Sequence, residues 1–218
     1  MFRKSPMGST GVIVSGTAIG AHLTLTPRYA QTLGMSPGEI GVLLLTASFG
    51  TIALQLPLGW ISDHYDRRVA LIVSSAVGGF AALGMAAAGG AGPYLLLMGF
   101  LLGGFVLPIY PLALATVNDQ LAAGEMIEAA SALYVFYGLG SMLGPMIASI
   151  AMAYLAPAAL YFFILVVLAS YLLFGLLRIK RVPEFIVRGA KASYRTVPRT
   201  TLVAIDLLRR PKRRPKRN

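Results

Sequence analysis

The sequence predicts an all-α membrane protein: six transmembrane helices over residues 1–178, then a basic cytoplasmic tail over 179–218. Three observations predict it. Apolar residues make up 56% of the chain and charged residues 12%, with mean hydropathy +0.72, too little polar surface to cover the apolar surface of a soluble domain. Six apolar stretches reach the roughly 20 residues that a helix needs to cross hydrocarbon at ~1.5 Å per residue. The charge is also segregated. Six basic and six acidic residues cancel up to Arg178, whereas the last 40 residues hold thirteen basic and two acidic. The net charge of +11 thus belongs to the tail, and nucleic acid is not an expected partner. With no cysteine in the chain, disulfides, thiolate metal sites and cysteine nucleophiles are excluded together.

The spans fall at Ser9–Thr26, Ile40–Ile61, Val69–Gly90, Tyr94–Val117, Ala129–Ala156 and Ala158–Leu177. The first is the shortest and carries His22; Arg3-Lys4 before it also suit a signal peptide, but no small-x-small cleavage site follows. Breaks are expected at Pro27-Arg28, at Ser36-Pro37-Gly38-Glu39, at Asp63–Arg68, at Gly89–Pro93, at Asn118–Glu128 and at Pro157. Ser36 and Glu39 have the spacing of a capping box opening the second helix. Arg28 and Tyr29 are expected to anchor at the interface. With both termini cytoplasmic, Arg3, Lys4, Arg67, Arg68, Arg178 and the thirteen tail bases lie inside and only Arg28 outside, which satisfies the positive-inside rule for a bacterial inner membrane. Gly16-xxx-Gly20, Gly99-xxx-Gly103 and Gly140-xxx-Gly144 let helix backbones approach, while Pro57, Pro108, Pro111 and Pro145 bend helices within spans.

Between the second and third spans runs Gly59-Trp-Ile-Ser-Asp63-His-Tyr-Asp-Arg67-Arg68, whose charges must sit at a membrane surface. Gly59, Asp63, Arg67 and Arg68 resemble the short cytoplasmic loop motif of the major facilitator superfamily of secondary transporters. Ile61 stands for the motif's leucine, His64 for its base and Asp66 for its turn glycine. Members of that family have two six-helix halves, so the resemblance over residues 8–178 covers one half. Gly99 stands where N-terminal halves carry an arginine, and Tyr110-Pro111, Asn118-Asp119 and Tyr137–Pro145 resemble the tenth and eleventh helices of the YcaD-like branch. The resemblance therefore implies a C-terminal half, beginning at an internal or split-gene methionine.

Helical spacing gives a candidate transport path. Ser15, Ala18, His22 and Thr26 share one face of the first span, and Ser48, Thr51, Gln55 and Gly59 one face of the second. Tyr134, Tyr137, Gly138, Ser141 and Pro145 do so on the fifth, and Tyr110 joins them from the fourth. The third and sixth spans lack such a stripe and are expected to face lipid. The path residues are thus Ser15, His22, Gln55, Tyr110, Tyr134, Tyr137 and Ser141, with Pro111, Gly140, Gly144 and Pro145 for bending and packing. His22 is the one ionisable side chain besides tyrosine well inside a span, where such groups default to functional candidates. Serine and threonine there equally serve to bond the preceding turn. Asp63 can accept bonds at the N-terminus of a facing helix, and Arg67 and Arg68 can pair with Asp119, Glu125 or Glu128 to form a gate.

The expected activity is secondary active transport of a small solute by alternating access. It would work as a half-transporter paired with an N-terminal six-helix half or a second copy; an inactive truncated product is the alternative. An intramembrane serine protease needs Gly-x-Ser-Gly and a histidine from another span, and neither Ser15 nor Ser141 has that setting. No catalytic residues, metal or cofactor are therefore expected. The tail ends in Pro211-Lys-Arg-Arg-Pro-Lys-Arg-Asn218, suited to a disordered segment or to anionic headgroups.

Overall fold

The computed structural model describes residues 5–90, 92–121 and 126–179, which form seven helices making six passes. They are α1 (Pro6–Thr32), α2 (Pro37–His64), α3 (Arg67–Ala86), α4 (Pro93–Val106), α5 (Ile109–Asn118), α6 (Met126–Tyr154) and α7 (Ala159–Ile179). The predicted tail, Glu125, Arg3 and Lys4 lie outside the described residues. Five passes are long and apolar enough to cross a membrane by length and composition: α2, α3, α4 with α5, α6 and α7. The more polar α1 has 27 residues, a length of about 40 Å.

Local chemistry sets the boundaries. Pro6 opens α1, where its missing N–H costs nothing. Gly34 closes it at φ 76°, with Met35 N–H donating to Ala30 O at 3.2 Å and Gly34 N–H to Gln31 O at 3.0 Å. The capping box expected at Ser36 and Glu39 is formed: Ser36 N–H donates to Glu39 Oε2 at 2.7 Å and Glu39 N–H to Ser36 Oγ at 3.4 Å. At the other end of α2, Asp63 and His64 belong to the helix itself, so the turn shrinks to Tyr65-Asp66. Asp66, standing at the motif's glycine position, caps α3 by accepting from Arg68 N–H at 2.9 Å.

Two expectations are corrected. Pro27 does not end α1; the helix runs on to Thr32, because one proline removes a single N–H from a helix already held on several sides. Tyr29 is not an interface anchor. It is 1% exposed, its hydroxyl donates to Met85 O at 2.5 Å, and its ring meets Tyr161 edge-on at 4.8 Å. Arg28 beside it is exposed. The fourth pass is one span in two pieces, broken at Leu107-Pro108, where the proline lacks a donor.

Packing follows the small residues. α1 lies against α6, α2 against α4, and α3 against α7. A Cβ placed on Gly16 would fall on Tyr137 O, and one on Gly20 would lie 2.6 Å from Ser141 O. On Gly144 it would fall on Thr17 O, on Gly50 on Phe100 O, and on Gly103 on Ala47 O. In each case a glycine hydrogen faces a carbonyl across the crossing, the arrangement of a weak Cα–H···O bond. Pro145 cannot donate to Ser141 O, so this carbonyl is free of its usual helical partner where Gly20 meets it.

Burial is uneven. More than half of the apolar windows of α3 and of α4 with α5 is buried (56% each), against 22% for α2 and 17% for α6. Val42, Leu45, Phe49, Ile52, Leu56 and Trp60 form an exposed stripe down α2 at helical spacing. Leu139, Met142, Met146 and Ile150 do the same on α6. α3 keeps one exposed face, Val69, Val73, Phe80 and Leu83, and packs its others inward.

Candidate functional site

A groove of about 390 Å³ opens between α2 and α5, lined among others by Gln55, Trp60, Asp63, Arg67, Pro108 and Pro111. The Leu107-Pro108 break and the proline at 111 give α5 its own course beside α2. Next to the groove stands a tyrosine cluster. The Tyr110 and Tyr137 rings are 4.6 Å apart and those of Tyr134 and Tyr137 6.4 Å apart. Tyr134 is exposed and the other two half-buried, so the cluster offers aromatic faces and hydroxyls to whatever covers this side of the bundle. Ser141, one turn above Tyr137, donates to Gly138 O at 2.9 Å and is half-buried. Gly140 and Gly144 lie in the α1 crossing, and Pro145 stands inside α6 beside them.

The mouth of the groove carries the charges. Arg67 Nε lies 2.6 Å from Asp119 Oδ2, an ion pair whose N–H does not point along the line to the oxygen, and Nη2 lies 3.5 Å from Asp63 Oδ1. Asp63 is in the last turn of α2 and Asp119 is the C-cap of α5. Both carboxylates therefore sit at the negative ends of helix dipoles, where a cation is needed. Arg67 supplies it from the first residue of α3, so one guanidinium ties three helix ends. The pair is about one quarter to one third exposed (25% and 31%), which holds its worth to about 1 kcal/mol. His64 stacks on Trp60 at 4.4 Å and lies with Nδ1 3.0 Å from Trp60 O.

The structure brings together Gln55, Gly59, Asp63, Arg67 and Pro111 at the groove, with Asp119 at its mouth. Tyr110, Tyr134 and Tyr137 gather beside it. It separates the others. Ser15, Ala18, His22 and Thr26 do not face the open side: Ser15, Ala18 and Thr26 have no exposed surface and His22 1%. Thr26 Oγ1 donates to His22 O at 2.5 Å, lies 2.9 Å from His22 Nδ1 and 3.0 Å from the Tyr161 hydroxyl of α7. Ser15 donates to Val12 O at 2.8 Å. The stripe is a polar seam between α1 and α7, because the opposite face of α1 is taken by the crossing with α6. Arg68 pairs with none of the three expected acids among the described residues; it is 9% exposed. Glu128 is exposed and makes no ion pair among the described residues. Trp60 and Asp66 were missed as site residues, although an Asp directly before a helix is a capping signal.

The match to the Major Facilitator Superfamily model covers residues 8–215. The chain belongs to that superfamily. Among relatives of known sequence, the MFS-type transporter YcaD of Salmonella typhi is 29% identical over 182 residues, covering 84% of this chain and 47% of that protein. An MFS-type transporter of Yersinia pestis (strain Pestoides F) is 34% identical over 175 residues, covering 78% of this chain and 44% of that protein. The chain thus spans about half the length of these relatives. Superfamily membership makes it an integral membrane protein of a transporter family.

Proposed function

We propose that the chain is one six-helix half of a secondary transporter that moves a small solute across the bacterial inner membrane by alternating access. Both ends face the cytoplasm, and the solute path runs past the Tyr110–Tyr134–Tyr137 cluster and Gln55. The observation that carries this reading is the pair of exposed apolar stripes on α2 and α6, in a chain about half as long as its relatives. A second six-helix unit, an N-terminal half or another copy, covers those stripes and completes a cavity. The Arg67 pairs hold α2, α3 and α5 together at the cytoplasmic mouth in one state of the cycle and part in the other. No metal and no cofactor enter the scheme.

Because the chain has no cysteine, single-cysteine variants test this directly. Phe49→Cys or Met142→Cys is expected to cross-link the chain in native membranes to a six-helix partner or a second copy. Phe80→Cys, which is 62% exposed on α3, is not. A monodisperse monomer that catalyses saturable solute flux in liposomes would sink the half-transporter reading. Orientation has its own test: an impermeant thiol reagent outside the cell should label Gln31→Cys and spare Tyr65→Cys, and the reverse result would invert the topology. For the gate, Asp119→Asn is expected to raise the labelling rate of Gln55→Cys from the cytoplasmic side by up to about fivefold, the equivalent of ~1 kcal/mol. An unchanged rate would leave the charges with a topogenic role alone.

A further inference from the structure

Arg68 and Arg178 stand at the same end of the α3·α7 contact, neither with a counter-ion among the described residues. A Cβ on Gly78 would lie 3.4 Å from Leu168 Cδ1, one on Gly79 3.4 Å from Leu165 Cδ1, and one on Gly175 3.1 Å from Ile72 Cγ1. These contacts fix an antiparallel register, and one more turn along it brings Arg68 opposite Arg178. Arg68 is 9% exposed, and its guanidinium makes no ion pair or hydrogen bond among the described residues. Arg178 Nε is buried without a hydrogen-bond partner, and its guanidinium carbon lies 6.0 Å from the Phe174 ring centre. The neighbouring acids are engaged elsewhere: Asp66 caps α3 through Arg68 N–H, while Asp63 and Asp119 pair with Arg67. Two like charges in a part-buried setting repel, so the arrangement favours an anion that bonds both forks.

The surroundings name its class. Val69 and Val73 on α3, with Leu173 and Leu176 on α7, are exposed apolar side chains of the same two helices, suited to acyl chains. Basic pockets between membrane helices at the headgroup level bind anionic lipids. We propose that Arg68 and Arg178 together form a binding site for the phosphodiester of an anionic phospholipid such as phosphatidylglycerol. The site is separate from the α2–α5 groove and does not depend on how the chain pairs.

The full 218-residue chain, purified in detergent, can be titrated with phosphatidylglycerol in mixed micelles and bound lipid counted by native mass spectrometry. Phosphatidylglycerol should be retained where phosphatidylcholine is not. Arg68→Gln and Arg178→Gln should each weaken retention about fivefold, and Arg28→Gln should leave it unchanged. Arg178 is in the last turn of α7, so its variant reads the site even where Arg68→Gln lowers the yield of folded protein. Equal retention by wild type and Arg178→Gln would assign lipid binding to the tail bases and overturn the proposal. So would inorganic phosphate displacing the lipid at equal concentration, which marks a free-anion site.

Discussion

Gly16 and Gly20 of α1 meet Tyr137 and Ser141 of α6 as Gly99 and Gly103 of α4 meet Leu43 and Ala47 of α2. Gly144 then faces Thr17 as Gly50 faces Phe100. The two parallel helix pairs are one crossing built twice, as expected where two three-helix repeats of inverted topology interlock. Their glycines differ at two positions. Gly140, with a Cβ that would lie 2.7 Å from Ile13 O, corresponds to Thr46, and Gly104, with one 2.9 Å from Gly50 O, corresponds to Ala21. In the inverted repeat, equivalent residues stand on opposite sides of the membrane midplane. Each crossing thus carries one glycine that its counterpart lacks, which lets its helices approach more closely at that level.

Substitutions can break this likeness or sharpen it. The largest effect is expected for Gly20→Leu and Gly103→Leu, which drive a side chain into the partner backbone and should each destabilise the fold by about 3 kcal/mol or more. Thermal melting in detergent measures this, and a difference of several-fold between the two would break the equivalence. Gly140→Thr copies the Thr46 of the other crossing. It should cost about 1–3 kcal/mol, because α1 is too close at that level to admit the side chain. Thr51 donates to Gly103 O at 3.0 Å across the α2·α4 contact, at a position where α6 has Pro145, which has no hydroxyl to donate. Thr51→Val should lose only about 0.6 kcal/mol, in line with polar contacts between membrane helices. The smallest change, and the opposite sign, belongs to Gly138→Ala. A Cβ there meets nothing within 4 Å, so only two residues from Gly140 an added methyl should stabilise α6 by about 0.5 kcal/mol.

Much of this architecture could be read from residue order. Hydropathy marked the five apolar passes, Ser36 and Glu39 announced a cap that forms, and the three spaced glycine pairs are the residues that let helices touch. Direction was harder. Ser15, Ala18, His22 and Thr26 do share a face, but periodicity cannot say which neighbour that face meets. The answer came from Gly16 and Gly20, which commit the other side of α1 to α6. Tyr29 looked like an interface anchor because Arg28 precedes it, and only the arrival of Met85 and Tyr161 from distant sequence buries it. At the site, the motif located Asp63 and Arg67. Its odd member, Asp66, was legible as a helix cap rather than as a missing glycine.

The polar seam of α1 has a consequence for how the protein is made. Ser5 donates to Thr116 O, Thr26 shares its hydroxyl with Tyr161, and Tyr171 donates to Met7 O, so α1 is tied to residues 111, 135 and 164 positions later in the chain. At ribosomal speeds of roughly 5–20 residues per second, these partners appear roughly 5 to 30 seconds after the α1 residues they bind. During that interval the least apolar helix of the set has neither its seam nor its glycine crossing. Until α7 is made, α1 therefore lacks the Tyr161 and Tyr171 hydroxyls that complete its seam.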